Sequence, residues 1–284
     1  MRNILYAMLL TVVCSSCQNA VQKKEGEHAQ TTTADTSRHT TSHKNDIAAY
    51  LDRLNKFRPS QADSIENVNE SLEGYIKKMA VEDPTTISET FSSLDSLGMK
   101  IISSEDHRFR IYTWDSRSGG TMPSFINLAQ FDINGKTEVR RLNPPDTSGD
   151  EGLGDTGSWY TDMNTVKTTG GRMLYLAVYR KKYSSQDASM GITAFTIENN
   201  RLNDTVKVFK TSHALVNDIN FDYDYFSNYD DKTMHEKNVI HVSADSKALY
   251  VPVVKAYKVT DKYLVYEFDG NSYVFNKNAD QQLK

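Results

Sequence analysis

Phe109-Arg110-Ile111-Tyr112-Thr113-Trp114 is a run of aromatic and β-branched residues that decides how the chain is read. Altered forms of it return at Leu174-Tyr175-Leu176-Ala177-Val178-Tyr179 and at Leu249-Tyr250-Val251-Pro252-Val253-Val254. The starts lie 65 and 75 residues apart, and each run is followed by a second strand-like segment with a phenylalanine near its end: Phe131, Phe195 and Phe268. A turn signal comes shortly after each. Repetition of this kind fits a β-meander of about four strands per unit, closed as a barrel, stacked as a sandwich or set out as propeller-like blades.

Outward from these runs, from Met99 on, the apolar period is two. Asn134-Gly135, Gly170-Gly171, Asn199-Asn200 and Asp269-Gly270-Asn271 each separate two apolar-rich segments, the signature of a hairpin. Strands are predicted at 109–114, 125–133, 160–167, 173–180, 192–198, 205–210, 217–226, 239–243, 248–254, 263–268 and 273–275. Pro252 removes a ladder donor and predicts an edge or a bulge.

Before Met99 the period is 3.6. Ile47, Tyr50, Leu51, Leu54 and Phe57 form one stripe, stopped at Arg58-Pro59. Ile65, Val68, Leu72, Tyr75, Ile76 and Met79 form a second, capped by Ser60 and ended at Asp83-Pro84. Ile87, Phe91, Leu94 and Leu97 form a third, with Thr86 and Glu89 as a capping box and Gly98 at the C-cap position. The expected fold class is therefore α+β: N-terminal amphipathic helices over 46–98, then a larger, mostly antiparallel β domain over 99–276, then a polar tail, 277–284.

The first residues speak to location. Arg2 and Asn3 give a positive start, Ile4 to Val13 an apolar run, and Cys14-Ser15-Ser16-Cys17 a small-residue close. Ten apolar residues rise about 15 Å as a helix, half the hydrocarbon core of a bilayer, so the run is too short to span. This arrangement resembles a bacterial lipoprotein signal peptide. The resemblance implies cleavage after residue 16, lipidation of Cys17, and a membrane-anchored protein of the bacterial envelope, on the outer membrane first. Cys14 stands where that family more often has leucine. Residues 17–45 are polar and aperiodic, with Thr31-Thr32-Thr33, Thr40-Thr41 and three histidines (His28, His39, His43), and read as a lipidated, disordered tether.

Several chemistries drop out. The formal net charge is −4 and loss of Arg2 makes the remainder more negative, so nucleic acid is not expected as a partner. Both cysteines fall in the first 17 residues, which removes thiol nucleophiles, cysteine metal sites and disulfides from the body. His235-Glu236 and His241 lack the four-residue histidine spacing of a zinc helix. There is no P-loop, no nucleophile elbow and no dinucleotide glycine pattern. No cofactor is expected.

What remains is Asp218-Ile-Asn-Phe-Asp-Tyr-Asp-Tyr-Phe226. Alternation puts Ile219, Phe221, Tyr223 and Tyr225 on one face and Asp218, Asn220, Asp222 and Asp224 on the other. Asp218, Asp222 and Asp224 are the candidate ligand- or cation-binding residues, since hard cations take carboxylate and carbonyl oxygens; the plainer reading is a strand with a wet acidic face. The acid- and glycine-rich stretch from Pro144 to Gly157 reads as a long mobile loop at the mouth of a site. Trp114 and Trp159 are core residues or ligand platforms. The expected function is a non-catalytic binding or assembly role, with the membrane as one partner and a glycan or an envelope protein as another. A glycan hydrolase using Asp222 and Asp224, and a sensor or inhibitor of an envelope enzyme, are the alternatives.

Overall fold

The computed structural model describes residues 28–119, 122–143, 157–230, 232 and 235–279. The signal-like segment and most of the acidic stretch 144–157 lie outside them. Contacts divide the chain into Met1–His39 and Thr40–Lys284. Of the first unit, only residues 28–39, helical in backbone, are described; all side-chain contacts below belong to the second.

Helix α1 (His28–Lys56) ends just before Arg58-Pro59, and α2 (Ala62–Glu82) just before Asp83-Pro84. The predicted stripes face inward, with Ile47, Leu51, Leu54, Ile65, Val68, Leu72, Ile76 and Met79 all buried. His43 and Ser60 depart from expectation here. The helix is described from His28 on, overlapping the expected tether at 28–45, and no glycine or proline interrupts the chain between Gly26 and Pro59. His43, expected in a solvated tail, instead bonds the Tyr75 hydroxyl (2.8 Å). Ser60 does not cap α2; Gln61 holds that position, and its side chain accepts from the Arg58 N–H (3.0 Å).

The third helix is also a correction. Residues 84–97 form only two 3-10 turns, Pro84–Ser88 and Asp95–Leu97. The stripe is right about burial, because Ile87, Phe91 and Leu94 are in the core. The backbone is claimed by Arg110, which is itself buried. Its guanidinium donates to the Thr86 carbonyl (2.5 Å) and to the Glu89 carbonyl, and it lies over the Phe91 ring. The Thr86 carbonyl also accepts from the Glu89 N–H (3.2 Å), the i+3 bond of the first turn.

Four consecutive strands, β1 (Met99–Ser103), β2 (Phe109–Asp115), β3 (Phe125–Ile133) and β4 (Lys136–Arg141), form an antiparallel meander. β5 (Trp159–Lys167), β6 (Met173–Lys182), β7 (Asp187–Glu198) and β8 (Arg201–Asn203) form a second. Then come β9 (Phe209–Lys210), β10 (Leu215–Val216) and β11 (Asp218–Asp224), with β11 pairing the free stretch of β7. β12 (Tyr229–Asp230) and β13 (His235–Glu236) make a two-stranded ribbon. β14 (His241–Val242), β15 (Ala248–Lys255), β16 (Lys258–Phe268) and β17 (Tyr273–Asn276) form the third meander, extended by β9 and β10 in the order β10-β9-β17-β16-β15-β14. All these pairings are antiparallel except β17 with β9. The fold is α+β with mostly antiparallel sheets.

The three repeated runs are the second strands of the three meanders, β2, β6 and β15. The three phenylalanines lie on the third, β3, β7 and β16. Asn134 and Gly135 close the β3–β4 hairpin with φ of 55° and 83°, as a two-residue hairpin loop requires. A bulge separates Pro252 from Val254. The run 205–210 is strand only at Phe209 and Lys210.

Layering explains why β2 and β6 read as continuous apolar runs. Tyr112 and Trp114 of β2 face the helices, while Phe109 and Ile111 face the second meander. Tyr175, Ala177 and Tyr179 of β6 face back toward β2; Leu174, Leu176 and Val178 face Leu249, Val251, Tyr266 and Tyr273 of the third meander. β2 and β6 are thus buried on both faces, and neither alternates apolar with polar.

Candidate functional site

The three aspartates of the acidic strand are not gathered into one cluster. β11 is the edge of its sheet, and its three aspartates have separate local duties. Asp218 accepts from the Tyr179 hydroxyl (3.0 Å) and from the Asn220 amide (2.6 Å). Asp222 is exposed. Asp224, expected to be exposed, is half-buried and caps the following turn by accepting from the Phe226 N–H (3.0 Å). Among the described residues, no group of three or more His, Cys, Asp or Glu could hold a metal ion. On the apolar face Tyr223 is fully buried, whereas Phe221 is half-buried, because nothing continues the sheet beyond β11. Burial pushes the Asp218 carboxyl above the ordinary range, and the bonds from Asn220 and Tyr179 offset only part of that.

The concave surface lies elsewhere, at the ends of several strands. Two clefts, of about 340 and about 250 Å³, share Pro123, Phe125 and Trp159 as a common wall. Register builds it. Trp159 opens β5 directly opposite Arg180 at the end of β6, and Phe125 opens β3 opposite Asp115 at the end of β2. The Phe125 and Trp159 rings meet at 5.3 Å between centroids. Trp114, by contrast, is 0% exposed, and its indole is tied to α2. Of the two tryptophans, Trp159 is the one that lines the clefts.

The first cleft is largely aliphatic beyond the shared wall, with Leu51, Leu54 and Leu97. Its polar groups are engaged with one another. Arg117 donates to the Asn55 amide oxygen (2.6 Å), Asn55 donates to the Leu97 carbonyl (3.0 Å), and Asp115 accepts from the Arg117 N–H (2.9 Å).

The second cleft is ionic, with Arg180, Lys181, Lys182, Tyr225 and Glu236. The Glu236 side chain is 7% exposed, pairs with Arg180 at 3.2 Å and accepts from the Tyr223 hydroxyl. Burial raises the Glu236 carboxyl, and Arg180 pulls it back. The Lys182 ammonium lies 3.6 Å from the centre of the Tyr225 ring. Among the described residues no carboxylate lies within ion-pair distance of it, so its charge is available to a ligand.

Sequence reasoning named Trp159 and missed Phe125, Arg180, Lys182 and Glu236. The trace they leave is slight: a basic triplet closing an apolar strand, and a tryptophan opening one. Their convergence is a matter of strand register, which no local pattern contains. No protein-family model, curated protein or solved structure matches the chain. No helix among the described residues is long and apolar enough to cross a membrane.

Proposed function

We propose that the protein is a lipid-anchored bacterial envelope protein that binds a partner without catalysis, through the double cleft around Trp159. The observation that carries the binding half is the shared wall of Pro123, Phe125 and Trp159, partly exposed aromatic surface between an aliphatic cleft and a cationic one. Binding sites are commonly concave and mostly apolar, with a few placed polar groups. The anchoring half rests on Cys14-Ser15-Ser16-Cys17 after an apolar run. The hydrolase reading has less support. Glycoside hydrolysis needs two carboxylates flanking one bond, and Asp222 and Asp224 do not line either cleft. The carboxylates that do, Asp115 and Glu236, are each engaged by an arginine. In the finer arrangement we favour, the three stacked meanders are propeller-like blades, in keeping with faces that pack on one another in chain order.

Two measurements test this reading. Wild type should take up a fatty-acid probe and Cys17→Ala should not; equal labelling removes the anchor. Isolated cell envelopes should sediment the Cys17→Ala protein, and adding Trp159→Ala should leave it in solution with an unchanged thermal midpoint. Equal sedimentation removes the cleft, and release of reducing ends during the incubation would replace binding by hydrolysis.

A further inference from the structure

We propose that the occupant of the double cleft is an extended peptide segment of a partner protein, carrying an acidic side chain close to a large apolar one. This rests on the cleft being the binding site. The aliphatic half selects against a sugar. Leu97, with Leu51 and Leu54 (2% exposed each) as the floor behind it, offers no side-chain hydrogen bonds, and Asn55, Asp115 and Arg117 are already bonded to one another or to the Leu97 carbonyl. Hydroxyls pressed against that surface would lose water and gain nothing, a penalty that a leucine or phenylalanine side chain does not carry. The ionic half selects the charge. Glu236 is in ion-pair contact with Arg180 and feels Lys182 only at longer range, while the Lys182 ammonium sits against an aromatic face. An acidic side chain reaching over Tyr225 would pair with Lys182 and leave the Arg180–Glu236 pair intact.

Both halves share Pro123, Phe125 and Trp159, so one strand-like segment can serve both. An extended chain advances about 3.3 Å per residue, so the acidic and apolar residues should fall within about three positions of each other. Aromatic residues and arginine are the groups that most often dominate the energy of such contacts.

The test is a positional-scanning library of dodecapeptides, probed with the full chain in detergent, alongside a panel of neutral and uronate-containing oligosaccharides. The wild type should prefer Asp or Glu within about three positions of Leu, Phe or Trp. Trp159→Ala should weaken the selected peptides by about thirtyfold, the loss typical of a contact worth about 2 kcal/mol. Lys182→Glu should turn the acidic preference into a basic one. Lys182→Gln, which only deletes the charge, should abolish the preference, and serves if the reversal does not fold. An acidic preference that survives both Lys182 variants overturns the proposal. Oligosaccharide binding that needs Trp159, without peptide binding, overturns it while leaving the cleft as the binding site. Binding of neither class overturns both.

Discussion

The Trp114 indole N–H donates to the Asn69 amide oxygen at 2.9 Å, in the buried seam between α2 and the first meander. The same amide donates to the Ser116 carbonyl (2.7 Å) and to the Ile65 carbonyl one helical turn back. A single asparagine thus satisfies three buried groups and fixes the helix against the sheet. Asn69→Leu keeps the volume and strands the indole donor and the Ser116 carbonyl. An unsatisfied buried group typically costs about 1–3 kcal/mol. The variant should unfold at clearly lower denaturant, measured by tryptophan fluorescence. Loss of less than about 0.5 kcal/mol would show that water reaches the seam.

Gly191 is needed for the space it leaves. A Cβ there would lie 2.6 Å from the Tyr179 ring and 2.9 Å from the Ile219 carbonyl. Tyr179 crosses β7 at this glycine to reach Asp218 on β11. Gly191→Ala should push the ring aside, break that bond and destabilise by about 1–3 kcal/mol, as overpacking usually does. In a Tyr179→Ala background the same change should cost less, since only the Ile219 carbonyl remains in the way. Equal costs in both backgrounds, by urea titration, would place the clash on the backbone alone.

The meanders are legible in the sequence because their signals are local: apolar runs, asparagine–glycine turns and a proline at a bulge. The third apolar stripe shows the limit. Ile87, Phe91 and Leu94 have helical spacing and are buried as that spacing requires, yet the backbone makes only 3-10 turns there, with the guanidinium of Arg110, more than 20 residues away, donating to two of its carbonyls. The 3.6 period reports which residues are inside and not which backbone carries them. The cleft was less legible still. Arg180 and Lys182 read as an ordinary charged strand end, and they become a site only because β5 begins with Trp159 in register with Arg180. The acidic strand drew attention through its composition, but its aspartates mostly satisfy their own neighbours.

Asp218 gives a pH dependence whose sign follows from its surroundings. Burial raises its folded carboxyl above the unfolded value, which is about 3.9. The folded state therefore holds this proton more tightly than the unfolded state. The resulting stabilisation is complete below the unfolded value and is lost as pH rises through the folded one. At neutral pH the ionised carboxylate is a net burden, and Asp218→Asn, which can still accept from Tyr179, should melt higher than wild type. The two melting temperatures should converge at low pH. Glu236, also raised, and His241, lowered by burial, titrate alike in both proteins and cancel in the difference. A mutant that melts lower at neutral pH would mean that the charge stabilises through the hydrogen bonds of Tyr179 and Asn220.

Ala256 and Tyr257 close the β15–β16 hairpin with φ of 47° and 63°. Such loops ordinarily use asparagine and glycine, because each side-chain-bearing residue in the left-handed region costs about 1–2 kcal/mol. Tyr257 is 58% exposed, so little packing offsets the strain. The turn is tied to β11 by a backbone bond, from the Asp224 N–H to the Tyr257 carbonyl at 2.7 Å, which no side-chain change removes. Replacing Ala256 by Asn and Tyr257 by Gly should therefore stabilise the protein by about 1–2 kcal/mol, read as a higher denaturation midpoint with an unchanged slope. Either single change should give part of the gain. If Tyr257→Gly destabilises instead, the ring makes a contact worth more than the strain it imposes, and the neighbouring exposed Phe226 is the first residue to substitute in a double-mutant cycle.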